Sequence, residues 1–210
     1  MNILVQRIIN KPVDSNSYVI YKQNIKNCIV VDPGTENCTI LLDFLYSNNL
    51  IPEYIILTHE HFDHIWGVNK LKDIFKSKIV CSKDCSKKII DNKKNMSVFY
   101  NQIGFETYPA DILIEDINYV LSFNNYIINF IKTPGHTNSS ICINIDKKLF
   151  TGDTIIKGLK TVIKLPGGNK KKLLESLNEI FTKFYNQDIK LYPGHGDVCF
   201  INEIKIEKLI

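Results

Sequence analysis

The chain has five histidines, His59, His61, His64, His136 and His195, and every one stands in a short turn-like segment beside Asp, Thr-Pro-Gly or Pro-Gly. Three of them lie in Thr58-His59-Glu60-His61-Phe62-Asp63-His64-Ile65, directly after the apolar run Tyr54-Ile55-Ile56-Leu57. That run is short and β-branched and passes into hydrophilic residues, which reads as a buried strand delivering a loop at its carboxyl end. Packing fixes a strand end, so the loop leaving it is a rigid platform for metal ligands. The spacing H-x-H-x-D-H packs four such ligands into six residues.

The pattern of strand, turn and ligand recurs three times. Tyr126-Ile127-Ile128-Asn129-Phe130-Ile131 runs into Thr133-Pro134-Gly135-His136-Thr137, Lys148-Leu149-Phe150 into Thr151-Gly152-Asp153-Thr154, and Ile189-Lys190-Leu191-Tyr192 into Pro193-Gly194-His195-Gly196. The glycines permit close backbone approach in these turns. The result is seven candidate metal ligands, five His and two Asp: His59, His61, Asp63, His64, His136, Asp153 and His195. One such histidine alone is more often a solvated side chain, and Asp63 or Asp153 alone fits an Asx-turn or a helix cap. The metal reading rests on all the segments together. Imidazole and carboxylate suit zinc, iron or manganese, and seven donors exceed what one tetrahedral zinc needs.

These motifs together resemble hydrolases of the metallo-β-lactamase fold, and among them the small glyoxalase II-like (hydroxyacylglutathione hydrolase-like) branch. The resemblance runs from Asp32-Pro33-Gly34 through the H-x-H-x-D-H loop, Thr-Pro-Gly-His-Thr, Phe-Thr-Gly-Asp-Thr, Leu-Pro-Gly-Gly-Asn and Tyr-Pro-Gly-His-Gly. It implies an α/β (α+β) fold, a four-layer αββα sandwich with the metal site where strand-end loops converge. It further implies two divalent ions, zinc by preference with iron or manganese as alternatives. His59, His61 and His136 would hold the first, Asp63, His64 and His195 the second, and Asp153 would bridge. Two cations roughly 3.5–4 Å apart lower the pKa of a shared water, so the implied nucleophile is hydroxide. Asp63 is the expected acceptor of the water's proton. Glu60, between two histidines, is a weaker candidate expected to face solvent.

Composition narrows the class. A chain of 24.2 kDa with 44% hydrophobic residues can bury a core without disulfides, and it reads as one domain over 1–210. The six cysteines form no C-x-x-C pair and no framework spacing, which points to a reduced, cytoplasmic compartment with the thiols as small apolar residues. Neither a signal peptide nor a membrane-length apolar run is visible. The net charge is +4, yet Arg7 is the only arginine among 26 basic residues, so basicity is poor evidence for nucleic acid.

Strands are predicted near 2–9, 16–21, 28–32, 54–57, 78–81, 119–123, 126–132, 141–145, 148–151 and 188–192. Helices are predicted near 36–48, 66–76, 82–91 and 170–184. The last carries one apolar stripe of Leu173, Leu174, Leu177, Ile180, Phe181 and Phe184. The stretch 91–111 is the least regular and is read as a substrate-facing insert.

Substrate choice is the open part. Glyoxalase II enzymes of the larger type carry a carboxyl-terminal helical region that binds glutathione, and only about fifteen residues follow the last ligand loop here. Relatives that include the iron-dependent persulfide dioxygenases carry Gly-Arg-Thr-Asp-Phe where this chain has Thr161-Val162-Ile163-Lys164-Leu165 before Pro166-Gly167-Gly168. The expectation is a dinuclear hydrolase of a small anionic thioester or activated ester, with no nucleic acid and no membrane as partner. Lys157, Lys160, Lys164, Lys170, Lys171 and Lys172 either steer that substrate or form a solvated lysine-rich segment. The alternatives are a mononuclear iron oxygenase acting on a persulfide, a nucleic-acid processing enzyme, or a non-catalytic metal-binding protein.

Overall fold

The computed structural model describes residues 2–116 and 119–210. They divide into two compact units, Met1–Leu113 and Ile114–Ile210.

The first unit is built on a sheet of β1 (Leu4–Ile9), β2 (Asn16–Tyr21), β3 (Asn27–Val31), β4 (Ile51–Ile56), β5 (Lys78–Ser82) and β6 (Ile112–Ile114), which lie side by side in chain order. β1, β2 and β3 pair antiparallel, whereas β3, β4 and β5 pair parallel. Parallel neighbours need a crossover, and helices supply it: α1 (Thr39–Ser47) joins β3 to β4, while α2 (Phe62–Ile65) and α3 (Val68–Phe75) lie between β4 and β5. Leu41 and Leu45 of α1 and Val68 and Leu71 of α3 bury against Val30, Ile55 and Ile79 of the sheet. α4 (Lys83–Ile89) adds Cys85 and Ile89 to this core, and α5 (Ser97–Asn101) lies in the segment before β6.

The second unit has its own sheet, in the order β12 (Cys199–Phe200), β11 (Lys190–Pro193), β10 (Lys148–Gly152), β9 (Ile141–Ile145), β8 (Tyr126–Lys132), β7 (Val120–Phe123). Its one parallel pair among the described residues, β10 with β11, is bridged by α6 (Lys170–Phe184). Leu173, Leu177, Ile180 and Phe184 of α6 bury against Ile131, Cys142, Leu149 and Leu191. Leu174 of the expected stripe is exposed, and Ser176 is buried in its stead, its hydroxyl donating to the carbonyl of Pro134 at 2.8 Å.

All six cysteines are buried free thiols. Burial pushes Cys38 and Cys142 up to about 12, so they stay protonated and pack as apolar groups. The sheets place the ligand loops. The segments with His59 to His64, His136, Asp153 and His195 follow the carboxyl ends of β4, β8, β10 and β11.

Three lysines open α6 where cations oppose the helix dipole, and Asn169 offsets this by accepting a hydrogen bond from the Lys172 amide at 3.0 Å. Asn169→Ala should therefore cost about 1 kcal/mol of stability, whereas Lys171→Ala in the same exposed turn should stay within about 0.5 kcal/mol. Chemical denaturation of both variants checks this, and equal midpoints would show that Asn169 does not cap the helix.

Candidate metal centre

In the first unit the ligand loop is built around a carboxylate. Asp32 directly follows β3 and is buried. Its Oδ1 accepts the Thr58 amide at 2.8 Å, and its Oδ2 accepts the Thr58 hydroxyl at 2.6 Å and His64 Nδ1 at 3.1 Å. The Thr58 hydroxyl has then spent its proton, so in its 3.0 Å contact with His59 Nδ1 the imidazole is the donor. Both His59 and His64 thus carry the proton on Nδ1 and present the lone pair of Nε2, a tautomer assigned from partners. The ring of His59 lies 4.7 Å from that of His61 and 4.3 Å from that of His64, between centroids. Asp63 brings its Oδ2 to 3.6 Å from His64 Nε2.

A polar tier holds this loop from the β1–β2 side. The Ser15 hydroxyl donates to the Asp63 carbonyl at 2.5 Å and accepts from Asn10 Nδ2 at 2.9 Å, while the Ser17 hydroxyl donates to the Asp32 carbonyl at 2.7 Å. Gly34 lies against the same tier. A Cβ there would stand 1.8 Å from the Asp63 carbonyl oxygen and 2.6 Å from Ser15 Oγ.

In the second unit, His136 Nδ1 donates to the carbonyl of Val162 at 2.7 Å, which again leaves Nε2 as the basic nitrogen. The turn that carries it is closed by Gly135 N donating to the Thr137 carbonyl at 2.9 Å, and the Asn169 amide donates to the Gly135 carbonyl at 2.8 Å. At the ends of β10 and β11, Gly194 N donates to the Gly152 carbonyl at 2.8 Å, which brings Asp153 beside His195. The Oδ2 of Asp153 lies 3.6 Å from Nε2 of His136 and 3.6 Å from Nε2 of His195. That spacing is too long for a good hydrogen bond, and it leaves room for an ion about 2 Å from each donor. The residues present therefore fit a divalent metal.

Each unit thus gathers its own share of the seven expected ligands: His59, His61, Asp63 and His64 in the first, His136, Asp153 and His195 in the second. A model of the metallo-β-lactamase superfamily matches residues 10–186, across both units. The chain belongs to that superfamily. Its relatives include a probable metallo-hydrolase of Methanocaldococcus jannaschii, 33% identical over 88% of this chain and 88% of that protein. They also include a hydroxyacylglutathione hydrolase of Francisella tularensis, 28% identical over 89% of this chain but spanning 65% of that enzyme. Among solved structures, the BLEG-1 B3 metallo-β-lactamase superposes with a TM-score of 0.88 at 27% identity over 95% of each chain. The mixed α/β class expected from the sequence is the fold of this superfamily member. No described helix is long and apolar enough to cross a membrane.

One expectation fails. Glu60 does not face solvent: it is 1% exposed and pairs with Lys88 Nζ of α4 at 2.5 Å. A carboxylate buried that deeply needs a cation, and alternation along the loop gives no hint of one. Sequence reasoning also missed the roles of Thr58, Asn10, Ser15 and the Val162 carbonyl. Asp32 was visible in Asp-Pro-Gly only as part of the resemblance, without a function.

Two substitutions test how the loop is held. Asp32→Ala should weaken metal retention about 10–100-fold, the usual loss when a histidine's outer partner is removed, read by competition with a chelator. Gly34→Ala should likewise loosen the metal and lower the unfolding midpoint, because its Cβ overlaps the Asp63 carbonyl. Wild-type retention in either variant would show that the loop keeps its geometry without them.

Proposed function

We propose that the protein is a metal-dependent hydrolase of thioesters or activated esters, similar to glyoxalase II, with the dinuclear centre that its ligand motifs imply. The observation that carries this reading is the Asp153 carboxylate oxygen equidistant from two imidazole nitrogens, the geometry of a bridging ligand. His59, His61 and His136 would hold one ion and Asp63, His64 and His195 the other, with zinc preferred and iron or manganese as alternatives. Bound there, the ions would supply Lewis acidity toward the substrate carbonyl and make an attacking water acidic.

The protein's own groups do the rest. Asp63, its carbonyl pinned by Ser15, is the catalytic carboxylate that takes the proton of the attacking water. Asp32 and the Val162 carbonyl keep three imidazoles in the basic tautomer. The likeness to a hydroxyacylglutathione hydrolase supports the thioester class. The reduced thiols support a cytoplasmic setting. A small anionic substrate remains the proposed partner, and four lysines are left to steer it. Lys157 is paired with Glu203 at 2.5 Å and Lys160 donates to the Ile210 carbonyl at 2.7 Å, while Lys164 and Lys170 to Lys172 are exposed.

Elemental analysis of metal-reconstituted protein should return two ions per chain, and Asp153→Ala should weaken both. One ion or none would overturn the dinuclear reading. In fully metallated Asp63→Asn, turnover of a thioester should fall far more than the Michaelis constant rises, and unchanged turnover would remove Asp63 from proton transfer. Replacing Lys170, Lys171 and Lys172 by Gln should slow an anionic substrate at low salt and spare a neutral one, since screening shortens from about 10 Å at 0.1 M to about 3 Å at 1 M. Equal effects on both substrates would return these lysines to a solvated surface.

A further inference from the structure

The segment from Thr58 to His64 is held at its two ends by Asp32 and at the Asp63 carbonyl by Ser15, while its middle is held from α4. Glu60 precedes the ligand His61, and its buried carboxylate pairs with Lys88 Nζ of α4 at 2.5 Å. Phe62 follows His61, and its amide donates to the Asn95 carbonyl at 2.9 Å. His61 is therefore gripped on both flanks by the chain that runs through and beyond α4.

That chain is itself fixed. Cys85 and Ile89 anchor α4 in the core of the first unit, and the Ser82 hydroxyl caps the helix by accepting the Cys85 amide at 3.2 Å. Past the helix, the Ile89 carbonyl accepts the Thr107 amide at 3.0 Å, and the fully buried Asn95 donates from Nδ2 to the Phe105 carbonyl at 2.8 Å. Lys88 stands beside Ile89, its side chain 17% exposed against 63% for the neighbouring Lys87. Most of its stem is thus covered, and the ammonium is carried to the carboxylate rather than out to water.

A carboxylate removed from water is costly without its cation, so the Glu60 side chain is bound to the place where Lys88 meets it. The peptide joining Glu60 to His61 is planar and rigid, which leaves His61 little backbone freedom once Glu60 is fixed.

We propose that Lys88 is a positioning residue of the metal centre: through Glu60 it sets where His61 stands, and thereby how firmly the ion on His61 is retained. It rests on the ligand assignment given above and adds a residue of α4 to it. Lys87, one position earlier, has no such part and pairs with Asp84 at 3.4 Å on the exposed side of the helix.

The test is a graded chelator titration of the zinc-reconstituted protein, with zinc as the probe and turnover playing no part. Met keeps the stem of Lys88 and drops its charge. In Lys88→Met one ion should be released about 10–100-fold more readily, the usual consequence of disturbing the support of a ligand, and it should be the ion that His61→Ala loses, with the second ion held as in the wild type. Lys87→Met should release neither ion early. Because Lys88 acts through Glu60, Glu60→Ala should weaken the same ion, and Lys88→Met should add little in that background. Glu60→Ala and the double variant leave no lone carboxylate on the loop, and they carry the comparison if Lys88→Met does not fold.

Wild-type retention of both ions with only a lower unfolding midpoint would reduce the pair to a structural one and overturn the proposal. So would equal loosening of both ions, tighter retention of either, or additive losses in the double variant. If the wild type takes up a single ion, the dinuclear reading falls, and Lys88 keeps its role if both His61→Ala and Lys88→Met release that ion early but loses it if His61→Ala alone does. A wild type that binds no zinc would overturn both. A zinc-loaded protein that hydrolyses no thioester or ester would end the hydrolase reading and leave the retention result standing.

Discussion

The first unit depends on one buried carboxylate. Asp32 accepts three hydrogen bonds, two from Thr58 and one from His64, while its own amide donates to the Ile56 carbonyl at 3.1 Å. A carboxylate removed from water is costly unless its lone pairs are filled, and here the groups that fill them are Thr58 and His64, at the two ends of the ligand loop. The parallel pairing of β3 with β4 makes this possible, since it sets the carboxyl ends of the two strands side by side. Asp32 also holds a left-handed backbone, φ 50°, which costs a non-glycine residue energy and persists where surroundings fix it. Satisfying the carboxylate and orienting two imidazoles are therefore one requirement.

The second unit solves the same task with neutral backbone. His136 is oriented by a carbonyl, and the register of β10 against β11, with its irregularity between Phe150 and Gly152, sets Asp153 beside His195. α6 supports the turn before His136 through Ser176 on the Pro134 carbonyl and the Asn169 amide on Gly135. Gly135 sits so close to the helix that a Cβ there would lie 2.4 Å from the Cα of Leu173. A carboxylate partner makes a histidine more basic than a carbonyl does.

Much of this was legible in the sequence because the ligands are few in type and tied to strand ends. Every strand expected from the sequence is present, and the long helix spans 170–184 as its stripe predicted. What escaped notice was short or depended on tertiary context. α5 has five residues, too few to show a period, and is bounded by Met96 and Gln102 in left-handed backbone rather than by glycine. β6 is three residues long. β4 starts at Ile51, earlier than expected, because the chain absorbs Pro52 with a register shift opposite Cys28 and Ile29. The stretch 91–111, read as irregular, holds Tyr100 and Phe105, whose rings stack on Phe62 and Trp66. The Glu60–Lys88 pair and the Val162 carbonyl join residues 28 and 26 positions apart, a separation that no local pattern reports.

In the proposed centre two ions share Asp153, and hydrogen bonding at Nδ1 dictates which nitrogen of each oriented histidine binds them. A crystal structure of metal-reconstituted protein, with anomalous scattering recorded at the metal edge, tests both parts at once. Two anomalous peaks are expected, each about 2.0–2.2 Å from a carboxylate oxygen of Asp153, with His59, His64 and His136 all bound through Nε2. A single peak, or coordination of any of these three through Nδ1, would contradict it.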